Sequence, residues 1–150
     1  MHDSLKPFVT AIDHVGIAVP DLDEAIAFYR DVLGFELVHI ETNEVQGTRE
    51  AMMRVPGDDS ASSAVQLLEP LGPDTTIAKF LDRKGPGVQQ VALRVTDLEA
   101  ASEALRARGL RVLYDKAKTG TEHSLTNFIH PKDAGGVLIE LVEPAATPSH

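Results

Sequence analysis

Two stretches of this chain recur, and the recurrence limits the fold more than any other feature. Asp13-His14-Val15-Gly16-Ile17-Ala18-Val19, followed by Asp21-Leu22, is echoed 76 positions on by Gln89-Gln90-Val91-Ala92-Leu93-Arg94-Val95, followed by Asp97-Leu98. Val65-Gln66-Leu67-Leu68-Glu69-Pro70 is echoed 74 positions on by Ile139-Glu140-Leu141-Val142-Glu143-Pro144. Two independent echoes at nearly one offset imply two copies of a module of about 75 residues.

Within the first copy, residues 12–19 alternate as a strand does. His14, Gly16 and Ala18 share one face, and Val15, Ile17 and Val19 share the other, which reads as core. Asp21 caps a helix, with Glu24 as its capping-box partner. Leu22, Ala25, Ile26, Tyr29, Val32 and Leu33 fall at helical spacing as its buried stripe, and Gly34 ends it. Strands follow at 35–40, 50–55 and 64–68, with a loop or hairpin over 41–49 and a turn over 56–63. The module reads β-α-β-β-β.

The second copy repeats that order: a strand at 88–95, a helix at 97–108 with Leu98, Ala101 and Leu105 inward and Gly109 as cap, then strands at 110–114, 124–129 and 137–142. A turn fills 130–136. The expected organisation is one domain over 1–150, with modules at 12–69 and 88–143 and a linker at 70–87. Residues 76–83 of the linker read as a short helix ending near Gly85-Pro86-Gly87. Residues 1–10 read as a loose lead-in, and the tail from Pro144 as frayed.

Composition excludes several roles. With 150 residues, 43% of them hydrophobic, the chain can fill a sizeable core. A formal charge of −9 argues against a nucleic-acid partner, which needs a basic surface. An anionic ligand must therefore find local positive charge. There is no cysteine, hence no disulfide, thiolate ligand or thiol nucleophile. No apolar run has the length of a membrane span, so no membrane partner is expected. Met1 to Pro7 lacks the features of a signal or transit peptide, so a cytoplasmic location is expected.

Strand parity turns His14, Gln66, Gln90 and Glu140 away from the aliphatic faces that helices should cover. If the modules pair about a pseudo-two-fold, His14 pairs with Gln90, and Gln66 with Glu140. A lone histidine or glutamine on a half-buried strand is usually just a satisfied polar residue. Four such residues at equivalent positions of a duplication point instead to a metal or substrate site.

These stretches carry a resemblance. Together with Gln46-Gly47-Thr48-Arg49-Glu50-Ala51-Met52, Ile77-Ala78-Lys79-Phe80-Leu81 and His130-Pro131-Lys132-Asp133-Ala134-Gly135-Gly136, they make the chain similar to the vicinal oxygen chelate superfamily, and within it to the methylmalonyl-CoA epimerases, over nearly its whole length. The resemblance implies an α+β fold of two tandem βαβββ modules related by a pseudo-two-fold, forming a concave mixed sheet around a metal site. It implies His14, Gln66 and Glu140 as ligands of a divalent metal and Glu50 as catalytic base. The family commonly has a His-His pair where this chain has Gln89-Gln90, so Gln90 either ligates through its amide oxygen or leaves a place for water. Relatives often carry Arg where Leu125 stands.

The implied donor set is one imidazole, one carboxylate and two amides. It suits Co²⁺ first, then Mn²⁺, with Zn²⁺ or Ni²⁺ as alternatives. The implied reaction interconverts (2R)- and (2S)-methylmalonyl-CoA. Glu50 takes the α-proton while the metal stabilises the charge developing on the thioester oxygen. Gly16, Ala18 and Ala92 leave room for the acyl group. Glu140 is the family's candidate for the acid on the opposite face. The module-two mate of Glu50 falls near Ser124, beside His123, and these are further candidates there. Lys79, with Arg83 and Lys84, reads either as a contact for the phosphates of the acyl-CoA or as a solvated helix face. Members of this fold often dimerise, so a homodimer is expected.

Two other functions compete. A glyoxalase I-type isomerase would use the same fold and a four-ligand metal, but the Gln46–Met52 and His130–Lys132 stretches favour the epimerase. A metal-free small-molecule-binding protein would need aromatic walls, and 5% aromatics with no Trp argue against it. An extradiol dioxygenase needs a second histidine where Gln90 stands.

Overall fold

The helix of each module begins at an aspartate that leaves extended backbone and turns back on the chain. The computed structural model describes residues 7–57 and 63–145, so residues 1–6 of the lead-in, 58–62 of the turn and 146–150 of the tail lie outside the described residues. The first module comprises β1 (Val9–Ala18), α1 (Leu22–Ala27), β2 (Glu36–Asn43), β3 (Thr48–Arg54) and β4 (Ala64–Pro70). The linker carries α2 (Thr76–Lys84). The second module comprises β5 (Gly87–Val95), α3 (Leu98–Ala107), β6 (Lys118–Thr119), β7 (Leu125–Ile129) and β8 (Ile139–Glu143). This is the α+β order expected, β-α-β-β-β in each copy. Among the described residues no helix is long and apolar enough to cross a membrane.

By packing, the chain divides into Asp13–Gln90 and the described part of Met1–Ile12 with Val91–His150. In the first of these units the strand order is β2-β3-β4-β1. β1 runs parallel to β4, with Gly16 opposite Gln66, and the β2-β3 and β3-β4 pairs are antiparallel. The core lies between α1 and one sheet face: Val19, Leu22, Ile26, Ala51, Met53 and Leu67. The helix α2 covers part of the other face, where Ile77 and Phe80 pack on Ala18 and Leu68. Its own ends are signalled in the sequence. Thr75 accepts from Ala78 N–H at the start, and Gly85, at φ 77°, closes it.

The other unit has the order β5-β8-β7-β6. β5 runs parallel to β8, with Ala92 opposite Glu140, and the β7-β8 and β6-β7 pairs are antiparallel. Its core holds Val95, Leu98, Ala101, Leu105, Ile129 and Leu141. The start of β1 belongs here: Thr96 N–H donates to Phe8 O at 3.0 Å.

Four expectations need correction. Val32 and Leu33 are not buried; Val32 is 67% exposed. The helix widens into a π-helical segment over Phe28–Val32, where Leu33 N–H reaches back to Phe28 O. Five residues per bond instead of four rotate the last apolar positions off the core stripe. Residues 110–114 are not a regular strand. The Asn127 side chain occupies the backbone of Tyr114, accepting from its N–H and donating to its C=O, both at 3.0 Å. Only the Val112–Ile129 bridge remains, and the paired strand there is β6. Asp133 holds the same stretch, taking Arg111 N–H and guanidinium hydrogen bonds at 2.9 Å, which keep its carboxyl well below the usual carboxylate range. The 41–49 loop is shorter than expected, since β2 runs to Asn43 and β3 starts at Thr48. The lead-in is already a strand from Val9.

Candidate active site

His14, Gly16 and Ala18 on β1 face away from the α1 core, as do Gln66 and Leu68 on β4 and Thr48, Glu50 and Met52 on β3. The alternation follows from the pairing: Ala51 and Met53 enter the α1 core, so their neighbours point the other way. His14, Thr48, Glu50 and Gln66 are all buried. Gly16 stands opposite Gln66, Met52 opposite Gln66 and Glu50 opposite Leu68. These residues therefore share one face of the Asp13–Gln90 unit.

Gln90 joins this face. Its Nε2 lies 3.5 Å from His14 Nε2. It needs Gly16 beneath it, because a Cβ at Gly16 would lie 2.6 Å from Gln90 Cγ. The small residue read from sequence as room for an acyl group is filled here by the Gln90 stem. On the other side of the imidazole, Nδ1 is 2.7 Å from Asp13 Oδ2. A carboxylate only accepts, so Nδ1 carries a proton, and in the neutral ring the lone pair is on Nε2, the atom beside Gln90. A histidine held this way is oriented as metal-bound histidines are, by an outer carboxylate. An imidazole nitrogen and glutamine amide oxygens, the donor types on this face, are ones that a divalent cation accepts. Among the described residues no group of three or more His, Cys, Asp or Glu is gathered for a metal.

Glu50 is 4% exposed, and its Oε2 accepts from Thr48 Oγ1 at 2.8 Å. That bond holds the carboxylate on the site face. Glu140, in the other unit, is also buried and accepts from Thr126 Oγ1. It stands opposite Ala92 on β5 and Phe128 on β7.

The remaining candidates sit differently. Ser124 is buried just ahead of β7, and His123 is exposed, at φ 63°, in the turn before it. Neither is the register mate of Glu50. Glu50 opposes Leu68, two residues past Gln66, and Thr126 opposes Val142, two residues past Glu140. Thr126 is the mate, a correction that one-strand counting could not make. Lys79 is exposed on α2, and Arg83 and Lys84 lie 6.0 Å from the ring of Phe80. Sequence reasoning missed Asp13, Thr48 and Thr126 as partners of the candidate side chains. For Thr48 the signal was available, since it stands two residues before Glu50 and so on its face.

A family model described as the glyoxalase/bleomycin resistance protein/dioxygenase superfamily matches residues 13–128. The mitochondrial methylmalonyl-CoA epimerase of Mus musculus is 40% identical over 131 residues, covering 87% of this chain and 71% of its own. The crystal structure of methylmalonyl-CoA epimerase from Mycobacterium tuberculosis is similar with a TM-score of 0.88 and 56% identity, over 97% of this chain and 93% of that one. A methylmalonyl-CoA epimerase in complex with methylmalonyl-CoA and NH4+ is similar with a TM-score of 0.88 and 45% identity, over 95% and 99% of the two chains. With both module orders and the buried face of His14, Glu50 and Gln66 in place, the chain belongs to the glyoxalase/bleomycin resistance protein/dioxygenase superfamily, in the isomerase family of the methylmalonyl-CoA epimerases.

Proposed function

We propose that this protein interconverts (2R)- and (2S)-methylmalonyl-CoA by removing and returning the α-proton, with Glu50 as the base. The observation that carries the reading is the buried Glu50 carboxylate. It is held by Thr48 on the same sheet face as His14 and Gln66, in a chain whose relatives are epimerases of that thioester. A carboxylate fixed on a water-poor face can take a weakly acidic C–H proton and give it back without reorganising.

His14, Gln66 and Glu140 are the proposed ligands of a divalent cation, with Gln90 beside His14, and Co²⁺ is the first choice. Bound there, the cation supplies a Lewis acid for the thioester oxygen as the α-proton leaves. Asp13 holds a proton on His14 Nδ1, which leaves the lone pair of the neutral ring on Nε2. Glu140 serves the opposite face as acid, with Ser124 and His123 as the alternatives. Lys79 meets the CoA phosphates, and the protein works as a homodimer in the cytoplasm.

The test is α-exchange in D₂O combined with metal analysis of the purified protein. The reading expects deuterium at C2 of both epimers and a stoichiometric divalent metal. Absence of exchange with any malonyl-type thioester would end the epimerase reading, and a glyoxalase I-type isomerisation would be assayed next.

A further inference from the structure

On the site face, Glu50 has a second acidic neighbour. The β2-β3 register sets Glu41 directly opposite Glu50 and His39 opposite Met52. Directly opposed residues of an antiparallel pair share a face, with Cβ atoms about 4.5–5.5 Å apart. His39 and Glu41 stand two residues apart on β2, so they share that face too, and His39 Nε2 lies 2.7 Å from Glu41 Oε1. Exposure is graded along the row. Glu50 is 4% exposed, the Glu41 side chain 26% and the His39 side chain 33%. On the other face of β2, Leu37 stands opposite Met53, Ile40 opposite Ala51 and Thr42 opposite Arg49, so the Glu41–His39 pair belongs to the Glu50 face alone.

Two like charges directly opposed on a sheet are unfavourable. A proton shared along the row, or a cationic imidazole at its end, removes that cost. Imidazole is the side chain that takes and gives protons near neutral pH.

We propose that His39 and Glu41 form a proton relay connecting Glu50 to solvent. It rests on Glu50 being the base of the reaction proposed above. After one direction of turnover Glu50 holds the substrate's α-proton and must lose it before the next round. The protonated Glu50 gives that proton to the Glu41 carboxylate. Once protonated, Glu41 donates to Nε2 of the neutral His39 tautomer that holds its proton on Nδ1, and the imidazolium so formed releases the Nδ1 proton to water. The base is restored and one proton has left, while His39 has passed from the Nδ1–H to the Nε2–H tautomer, which a turn of its part-exposed ring resets before the next round. Running backwards, the same path reloads Glu50 for the opposite direction. Both relay residues act through Glu50 and touch no substrate.

The test uses full-length wild type, His39→Ala and Glu41→Gln. Resetting happens between substrate encounters, so it limits turnover only at saturation. Each variant is expected to lose about tenfold in kcat, or about 1.4 kcal/mol, while kcat/KM stays within about twofold. Free imidazole should restore kcat of His39→Ala, because it can take the proton from the Glu41 end. In D₂O, starting from the epimer that Glu50 deprotonates, the remaining substrate should keep more protium per epimerisation event than with wild type. Wild-type kcat and deuterium uptake in both variants would overturn the relay. So would a joint fall of kcat and kcat/KM without imidazole rescue, which marks a merely structural role. Failure of the epimerase reading is separate: it shows as absent exchange in the wild type itself.

Discussion

At the start of α1, Leu22 N–H donates to Glu69 at the end of β4 at 2.7 Å; at the start of α3, Leu98 N–H donates to Glu143 at the end of β8 at 2.8 Å. Asp21 and Asp97 cap the same two helices, accepting from Glu24 and Ala100. Gly34 and Gly109, at φ 80° and 84°, follow them. Leu67 and Leu141 fill the same place in the two cores. The modules agree in how these helix starts are satisfied and in this core position. They differ on the opposite face. Where one has His14, Glu50 and Gln66, the other has Gln90, Thr126 and Glu140. The carboxylate lies on β3 in one and on β8, which pairs parallel with β5, in the other, and the threonine that holds it lies on β3 in one and on β7 in the other. A duplicated scaffold keeps what each copy needs to fold. The side chains of the opposite face can differ because neither helix cap nor core depends on them.

The largest expected effect breaks the symmetry between Glu50 and Thr126. Glu50→Gln should lower epimerisation by about 10²-fold or more, the scale of a lost general base, with thermal unfolding little changed. A near wild-type rate would mean that the first module does not keep its base on β3.

The core mates test whether the scaffolds are equal. Leu67 and Leu141 are both fully buried. Leu67→Ala and Leu141→Ala should each cost about 2–5 kcal/mol in urea unfolding. Strongly unequal losses would show that one module carries most of the stability.

Next come the helix-start glutamates. Glu69→Ala and Glu143→Ala each leave the first N–H of a helix without its carboxylate, and each should cost about 1–2 kcal/mol. A loss at one position only would limit the shared cap to a single module.

The smallest effect is a gain. Ser102 on α3 takes the place that Ile26 takes on α1, 76 positions earlier, and its buried Oγ has no hydrogen-bond partner among the described residues. Ser102→Ala should raise stability by about 1 kcal/mol or less, because an unsatisfied buried hydroxyl is removed. A loss on calorimetry would mean that Oγ is satisfied after all.

The repeat, the helix caps, the α+β order and the faces of β1, β4, β5 and β8 were legible in the chain, because each follows from spacing within one element. Alternation of period two turns His14 away from the aliphatic face of β1, and Gln66 away from that of β4, with no knowledge of any neighbour. The tertiary structure decided everything that depends on pairing across a loop. Nothing in β3 or β7 alone says that Glu50 corresponds to Thr126 rather than to Ser124, since register is set by the turn and the partner strand. The same holds for Glu41, which becomes a neighbour of Glu50 only when β2 folds back onto β3. Residues 110–114 have strand-like side chains, yet Asn127 takes the backbone groups of Tyr114 that a ladder would have used. The apolar end of the first helix misses the core because of a π-turn that its periodicity does not reveal. Local spacing is a property of one segment, whereas register and the competition for backbone hydrogen bonds exist only between segments.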